Sequence, residues 1–159
     1  MKFLIREARK EDMPQVLRLI KELAVFEKEE NAVEVTVADL ERDGFGATVL
    51  FHCFVAEIAT EIKGMALVYP RYSTWKGPII HLEDLIVTES MRGTGMGTAL
   101  LSEVIKYGDH LGVRRINWEV LDWNEPAINF YKSKGANVMR DWDVVHLNEE
   151  GIKNYIANL

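Results

Sequence analysis

The sequence has little of what would point to a disulfide-stabilised, metal-binding or membrane protein. It contains one cysteine, so no disulfide can form within the 159 residues. Its histidines show no spacing typical of a metal site. No apolar run approaches the roughly 20 residues that cross a membrane, and the first residues do not resemble a signal peptide. We therefore expect a cytoplasmic protein without a structural metal.

The charge balance is mildly acidic. The chain has 25 Asp and Glu residues against 19 Lys and Arg residues, which gives a net charge of −6. An acidic surface repels phosphate backbones and anionic membranes, whereas it attracts cationic small molecules. We therefore expect no nucleic acid and no membrane partner. The length, with 48% apolar and 28% charged residues, fits one globular domain over residues 1–159.

The pattern of apolar residues predicts an α/β domain. Strands are predicted at residues 2–8, 51–58, 62–69, 79–88, 115–121 and 142–147. Helices are predicted from Asp12, with Gln15 in its capping box, from the Thr36 to Asp39 cap, after residue 97, at 124–134 and at 149–159. The resulting order is β-α-α-β-β-β-α-β-α-β followed by a terminal helix, with a mixed, mostly antiparallel sheet flanked by helices.

A glycine-rich segment lies where the fourth predicted strand passes into a helix. Arg92-x-x-Gly95-x-Gly97, with Gly93 between, allows backbone N–H groups to converge on an anion such as a pyrophosphate. The dinucleotide fingerprint does not fit, because Thr98 replaces its last glycine, and a P-loop would end in Gly-Lys-Ser/Thr. On these residues alone, an anion-binding loop and an ordinary glycine-rich turn remain equally open.

Residues 82–97, which read LEDLIV and then MRGTGMG after a short gap, resemble the acetyl-CoA-binding motif of the GCN5-related N-acetyltransferase (GNAT) superfamily. Residues 17–24, 43–46, 52–57 and 123–131 are similar to its spermidine/spermine N-acetyltransferase branch. The resemblance runs in order over about residues 2–147. It implies an acetyl-CoA-dependent N-acetyltransferase, with acetyl-CoA as co-substrate, a GNAT-like fold and a homodimer.

The resemblance also implies which residues hold acetyl-CoA. Backbone groups of the fourth strand would bind the acetyl and pantetheine part, and the glycine loop would bind the pyrophosphate. The implied residues are Leu85, Ile86, Val87, Arg92, Gly93, Thr94, Gly95, Met96, Gly97, Thr98, Asn124 and Ala127.

Acetyl transfer from a thioester to an amine needs a base, a donor for the oxyanion and an acid for the departing thiolate. The resemblance implies Glu83 as the base, acting through a water molecule, and Tyr131 as the acid. A rim carboxylate or salt-bridge partner is the alternative for Glu83, and a packed core aromatic is the alternative for Tyr131. Strand alternation would turn Asp84 to the face opposite Glu83. Cys53 is expected to be buried, which favours direct transfer without an acetyl-cysteine.

The resemblance implies that Phe26 and Glu27 touch the amine together with Glu83, and Glu119 is a second acidic candidate. Residues 72–77 and 120–124 resemble thialysine-type members, whereas residues 124–131 resemble the polyamine type. At the position of Ser73, the polyamine-type members have an aspartate that helps to bind a cationic amine. We therefore expect a small polyamine, diamine or thialysine-like substrate. A protein N-terminal or lysine acetyltransferase and a non-catalytic acetyl-CoA-sensing module are the alternatives.

The aromatic and imidazole side chains give weaker predictions. The four tryptophans are expected in the core or at a dimer interface, because the acidic balance does not favour base stacking. They are Trp75, Trp118, Trp123 and Trp142. None of the four histidines is assigned a role in the chemistry.

Overall fold

The computed structural model describes residues 2–159 and contains one five-stranded sheet in the order β1-β2-β3-β4-β5. The strands are β1 (Leu4–Glu7), β2 (His52–Ile58), β3 (Glu61–Ser73), β4 (Gly77–Val87) and β5 (Ile116–Asn117). The helices are α1 (Met13–Phe26), α2 (Val37–Phe45), α3 (Met96–Leu111), α4 (Glu125–Ser133) and α5 (Glu149–Ala157). Strands β1 to β4 pair antiparallel and β5 pairs parallel to β4, which confirms the predicted mixed, mostly antiparallel sheet.

The chain forms two compact units that divide after Glu119. The first unit contains the sheet with α1, α2 and α3, and the second contains α4 and α5. Among the described residues, Ile128 is the one buried apolar side chain of the second unit. The single domain expected for residues 1–159 stays a prediction. In the described part of the chain, no helix is both long enough and apolar enough to span a membrane.

Helices cover both faces of the sheet in the first unit. The buried face of α1 includes Met13, Val16 and Leu19, which pack in one cluster with Met65 of β3 and other strand residues. The preceding residue, Gly64, lies under α3: a Cβ there would be 3.0 Å from Leu100 and 3.2 Å from Met96. Because neighbouring strand residues point to opposite faces, α1 and α3 lie on opposite sides of β3.

The helix ends follow the sequence signals in most places. Thr36 caps α2, since its Oγ1 accepts from the Asp39 N–H at 3.2 Å. Helix α1 starts as predicted at Asp12, but the predicted capping box does not form. Asp12 instead pairs with Arg6, and the Gln15 Oε1 accepts from the Ile62 N–H at 2.8 Å. The side chains of Asp12 and Gln15 are therefore hydrogen-bonded outside α1 and do not cap it.

Two strand predictions are wrong. The strand predicted at 115–121 is reduced to Ile116–Asn117, and residues 142–147 form no strand. Within residues 2–159, no ladder pairs with 142–147, and its apolar side chains are exposed, so no burial accompanies an extended conformation there. Trp75, Trp123 and Trp142 are exposed, so the core alternative is wrong for these three and their place at a dimer interface stays a prediction.

Candidate active site

Strand β4 carries a bulge at Glu83. Val68 pairs with Leu82 but Leu67 pairs with Asp84, so β4 has one more residue than β3 at this point. A bulge interrupts strand alternation and re-aims side chains. His81 is opposite Tyr69 and Asp84 is opposite Leu67, which places His81 and Asp84 on one face. The alternation expected to turn Asp84 away from Glu83 is therefore wrong.

The edge of β4 that faces β5 is open beyond residue 81. Only Ile80 and His81 pair with β5, and no strand among the described residues pairs with residues 82–87 on this side, here called the outer edge. The Thr88 N–H donates to the Lys63 carbonyl at 2.8 Å on the β3 side, so alternation turns the backbone of Leu85 and Val87 outward. Backbone groups on an open edge are available to a ligand.

The register distinguishes among the three strand residues predicted to hold acetyl-CoA. By the same alternation, the Ile86 backbone faces β3, and its side chain is buried in the α1 core. The geometry therefore favours Leu85 and Val87 over Ile86 as backbone donors to a ligand. The side chain of Arg92 already donates to the outward carbonyl of Val87 at 3.4 Å.

The loop after β4 presents a run of unpaired donors. Within residues 2–159, the backbone N–H groups of residues 93–98 have no hydrogen-bond acceptor, whereas that of Ala99 bonds to the Gly95 carbonyl. Gly93 and Gly95 have φ values of +76° and +86°, which side chains rarely adopt, and Gly95 is the N-cap of α3. Unpaired donors at the start of a 16-residue helix are the arrangement that anion sites use, which is consistent with the anion-binding interpretation.

Helix α1 holds the loop from the other side. Glu22 accepts hydrogen bonds from the Thr88 hydroxyl at 3.0 Å and from the Glu89 N–H at 3.1 Å. The guanidinium of Arg92 lies 5.1 Å from the centroid of the Phe26 ring. The C-terminal end of α1 and the glycine loop are therefore neighbours, which brings the predicted substrate residue Phe26 close to the predicted cofactor residue Arg92.

Asp84 of β4 is a largely buried carboxylate on which the charges of two other carboxylates act. Burial, followed by the charges of Glu83 and Glu27, raises the pKa of Asp84 to about 6. Burial and the charge of Glu29 also raise the pKa of Glu27, the C-cap residue of α1. Two of these carboxylates would therefore be stabilised as anions by a cation placed among them.

A buried histidine adjoins this cluster and was missed by the sequence analysis. His81 Nε2 lies 3.6 Å from Glu83 Oε2, and the charge of Glu119 acts on both His81 and Tyr69. Glu119, a predicted substrate residue, therefore belongs to the same neighbourhood as Glu83. The signal for His81 was its place two residues before Glu83 on one strand, which puts both side chains on one face.

The cysteine has no exposed thiol. Cys53 is buried in β2, as predicted, and burial raises its pKa to about 12. A thiol with that pKa is not a nucleophile at neutral pH.

The remaining predicted residues lie in the second unit. Asn124 is the N-cap of α4, and its Oδ1 accepts from the Ala127 N–H at 3.3 Å. Tyr131 is one residue after Phe130, with the two ring centroids 5.4 Å apart. Helix α4 has Pro126 in its first turn, and Gly135 after it has a positive φ.

A glycine loop with unpaired donors, an open strand edge and interacting carboxylates are features expected of an enzyme that binds a phosphorylated acyl carrier and a cation. The model of the Acetyltransferase (GNAT) family matches residues 5–136, and the chain belongs to this family.

Its relatives have related activities. The chain is 41% identical to the thialysine N-epsilon-acetyltransferase of Mus musculus over 140 residues, 83% of this chain and 82% of that protein. It is 37% identical to the spermidine/spermine N(1)-acetyltransferase-like protein 1 of Homo sapiens over 158 residues, 93% of this chain but only 23% of that protein. The integron cassette protein VCH_CASS6 of V. cholerae has the same fold, with a TM-score of 0.80 and 21% identity over 98% of both chains.

The predicted superfamily and the spermidine/spermine-type resemblance are thereby confirmed, and the chain is an acetyl-CoA-dependent N-acetyltransferase. Within residues 2–159, no group of three His, Cys, Asp or Glu side chains is placed to hold a metal ion. The individual site residues remain predictions.

Proposed function

We propose that the chain transfers acetyl directly from acetyl-CoA to a primary amine of a small diamine, polyamine or lysine-analogue substrate. The observation that carries this proposal is that the charges of Glu83 and Glu27 both act on the largely buried carboxylate of Asp84 on β4. A substrate ammonium among them would offset the repulsion and burial that raise the pKa of Asp84. Glu119 extends the negative potential along the same face.

The loop and the outer edge would bind acetyl-CoA. The unpaired N–H groups of residues 93–98 suit a pyrophosphate, and Arg92 supplies a charge that can leave the Phe26 ring for a phosphate oxygen. The outward backbone of Leu85 and Val87 suits the amide-bearing pantetheine arm. A backbone N–H on this edge would also donate to the oxyanion as the thioester carbonyl is attacked.

The chemistry then needs three proton transfers. Glu83, through a water molecule, takes the first proton from the substrate ammonium, and the neutral amine attacks the thioester carbon. The carbon–nitrogen bond forms, the carbon–sulfur bond breaks, and Tyr131 gives a proton to the CoA thiolate. The nitrogen loses its second proton as the amide forms, and this proton restores the Tyr131 hydroxyl, so the net products are the amide, CoA thiol and the one proton held by Glu83. Direct transfer is supported by the burial of Cys53, which leaves no thiolate to carry the acetyl group.

The substrate is proposed to be short. Where the polyamine-type members have an aspartate, the hydroxyl of Ser73 accepts from the backbone N–H groups of Trp75 at 3.2 Å and Lys76 at 3.1 Å. Ser73 therefore shapes the β3–β4 turn and offers no charge for a distant ammonium. The mouse relative named for thialysine is consistent with this preference.

Side-by-side kcat/KM values for thialysine, spermidine and spermine test the proposal. We expect thialysine and short diamines to exceed spermine, and a clear preference for spermine would reverse the order. A peptide panel assayed with them detects a protein acetyltransferase. Tight acetyl-CoA binding without turnover of any acceptor would mean a non-catalytic module.

We also propose a cytoplasmic homodimer. Support for an interface comes from the apolar side chains exposed in the second unit, including Trp142, Val145 at 89% exposure and Leu159 at 88%. Light scattering coupled to gel filtration distinguishes a dimer from a monomer, and charged substitutions at Trp142 and Val145 should shift the mass toward a monomer.

A further inference from the structure

The proposed chemistry leaves one buried titratable group beside the base without a role. The side chain of His81 is 7% exposed, whereas that of Glu83 is 53% exposed. Nδ1 of His81 lies 3.4 Å from Nη1 of Arg71, and its Nε2 lies 3.6 Å from Oε2 of Glu83. The ring of Tyr69 lies against the imidazole, with the centroids 5.2 Å apart.

Arg71 determines which nitrogen of His81 carries the proton. A guanidinium has N–H donors and no acceptor, so Nδ1 of His81 must be the acceptor in this contact. The proton of the neutral ring then lies on Nε2, and the Nε2–H group points to Glu83. At 3.6 Å the contact is longer than a direct hydrogen bond, so the imidazole acts on the carboxylate as an oriented dipole.

The groups around the ring keep it neutral. Burial is the main cause that lowers the pKa of His81, and the charge of Arg71 lowers it further, whereas Glu83 and Glu119 act in the opposite direction. Tyr69 also faces the ring, and burial, followed by the charge of Glu83 and a side-chain hydrogen bond to it, raises the pKa of Tyr69. At neutral pH the imidazole is therefore uncharged, and its Nε2–H orientation persists.

We propose that His81 is a positioning residue, which holds the carboxylate of Glu83 in the orientation that receives the proton of the amine. The inference rests on the proposed role of Glu83 as the base. His81 does not itself take that proton, because Arg71 occupies Nδ1, Nε2 already carries a hydrogen and the ring is buried. Its effect on the reaction passes through Glu83.

A double-mutant cycle tests this dependence. His81→Phe keeps a ring without nitrogens, and His81→Gln keeps an N–H donor. We expect His81→Phe to lower kcat/KM about tenfold, His81→Gln to lower it less, and neither to lower it further in a Glu83→Gln background. Equal losses in both backgrounds, or no loss in either, would overturn the inference while the proposed function stands.

His52 provides a matched control. It lies on β2 and stacks on Tyr107, with the ring centroids 4.7 Å apart, so its removal also deletes a partly buried imidazole from the sheet. His52→Phe should leave kcat/KM unchanged in both backgrounds. If His81→Phe does not fold, the comparison of His81→Gln with His52→Gln replaces it.

Side-chain ¹⁵N spectra give a readout that does not need turnover. We expect His81, identified by its missing signal in His81→Gln, to be protonated at Nε2 and unprotonated at Nδ1 from about pH 6 to about pH 8. Arg71→Met should mix the two tautomers, and Glu83→Gln should move the Nε2 resonance. A proton on Nδ1 in the wild type, or an unmoved Nε2 resonance, overturns the inference. A wild type that acetylates no amine overturns the proposed function, and the spectra still decide the role of His81.

Discussion

The two edges of β4 differ along most of the strand. Toward β3, residues from Gly77 to Val87 are paired along their whole length except at Glu83, where the bulge lies. Toward β5, pairing ends after His81, and the outer edge continues into a loop whose N–H groups are also unpaired. One strand therefore has a structural edge and an edge with free donors and acceptors.

This difference explains why apolar strand residues can contribute to the proposed acetyl-CoA site. Leu85 and Val87 have ordinary strand side chains, and the groups available to a ligand are their backbone N–H and C=O groups. A buried backbone N–H or C=O group without a partner costs free energy. A ligand that forms hydrogen bonds with the groups of the outer edge would remove this cost. The carboxylates beside the edge and the glycines after it then decide which ligands fit.

The largest expected effect lies outside β4, at the proposed acid. Tyr131→Phe should lower kcat about 100-fold, because the CoA thiolate loses its proton donor. Acetyl-CoA affinity and melting temperature should change little, since one hydroxyl contributes about 1 kcal/mol to binding. Tyr155→Phe on α5 is the control for removal of a hydroxyl in the same unit. Retention of more than about half of wild-type kcat, with chemistry rate-limiting, would remove Tyr131 from the mechanism.

Glu83→Gln tests the base on the bulge of β4. We expect about 30-fold lower kcat/KM near neutral pH, where the substrate amine is protonated, and a smaller deficit as the pH approaches the amine pKa of about 10. A pH series of kcat/KM for the variant and for Glu103→Gln on α3 measures this. A deficit of the same size at every pH would mean that Glu83 binds the substrate or stabilises the structure and does not accept a proton.

Gly95→Val tests whether the loop donors bind acetyl-CoA. Gly95 and Gly112 lie at opposite ends of α3 with φ values of +86° and +71°, and a Cβ has open space at both. Valine should cost about 1–2 kcal/mol of strain at either position and lower both melting temperatures. Only Gly95→Val should also weaken acetyl-CoA binding, about tenfold, and reduce the rise in melting temperature with the ligand. Equal ligand-induced shifts in the two variants would contradict a binding role for the loop.

Asp84→Asn is expected to change stability, with the smallest effect on turnover. Burial raises the pKa of Asp84 from 3.8 to about 6, so between these pH values the folded protein keeps a proton that the unfolded chain has lost. The free energy of unfolding therefore falls as the pH rises through this range. Asp84→Asn should raise the free energy of unfolding by up to about 3 kcal/mol above pH 6 and by nothing below about pH 4. Urea denaturation across this range measures it, with the exposed Asp109→Asn as control; a gain independent of pH would contradict the assignment.

The sequence predicts strands and helix ends that are set by neighbouring residues better than it predicts segments whose structure depends on a distant pairing partner. Periodicity locates β2, β3, β4 and α3, and local signals locate the start of α1 and the Thr36 cap. These features depend on neighbours in the chain. The strand predicted at 142–147 failed because an apolar extended pattern does not supply a ladder partner.

The site required tertiary information for the same reason. The glycine loop and Glu83 were recognisable in the sequence. The alternation pattern cannot reveal a one-residue bulge, so the sequence predicted the wrong face of β4 for Asp84. The position of His81 two residues before Glu83 is visible in the sequence, but its contact with Arg71 on the neighbouring strand is not. The open outer edge follows from where β5 stops pairing, which no signal within β4 itself reports.

Amide hydrogen exchange of the loop tests the central claim most directly. If the donors of residues 93–98 are unpaired and complete their bonding with acetyl-CoA, they should exchange rapidly in the free protein and at least about tenfold more slowly at saturating acetyl-CoA. The amides of α2 provide the internal reference, since that helix contributes no residue to the proposed site. Slow exchange of residues 93–98 without ligand, or unchanged exchange when acetyl-CoA is bound, would contradict the account.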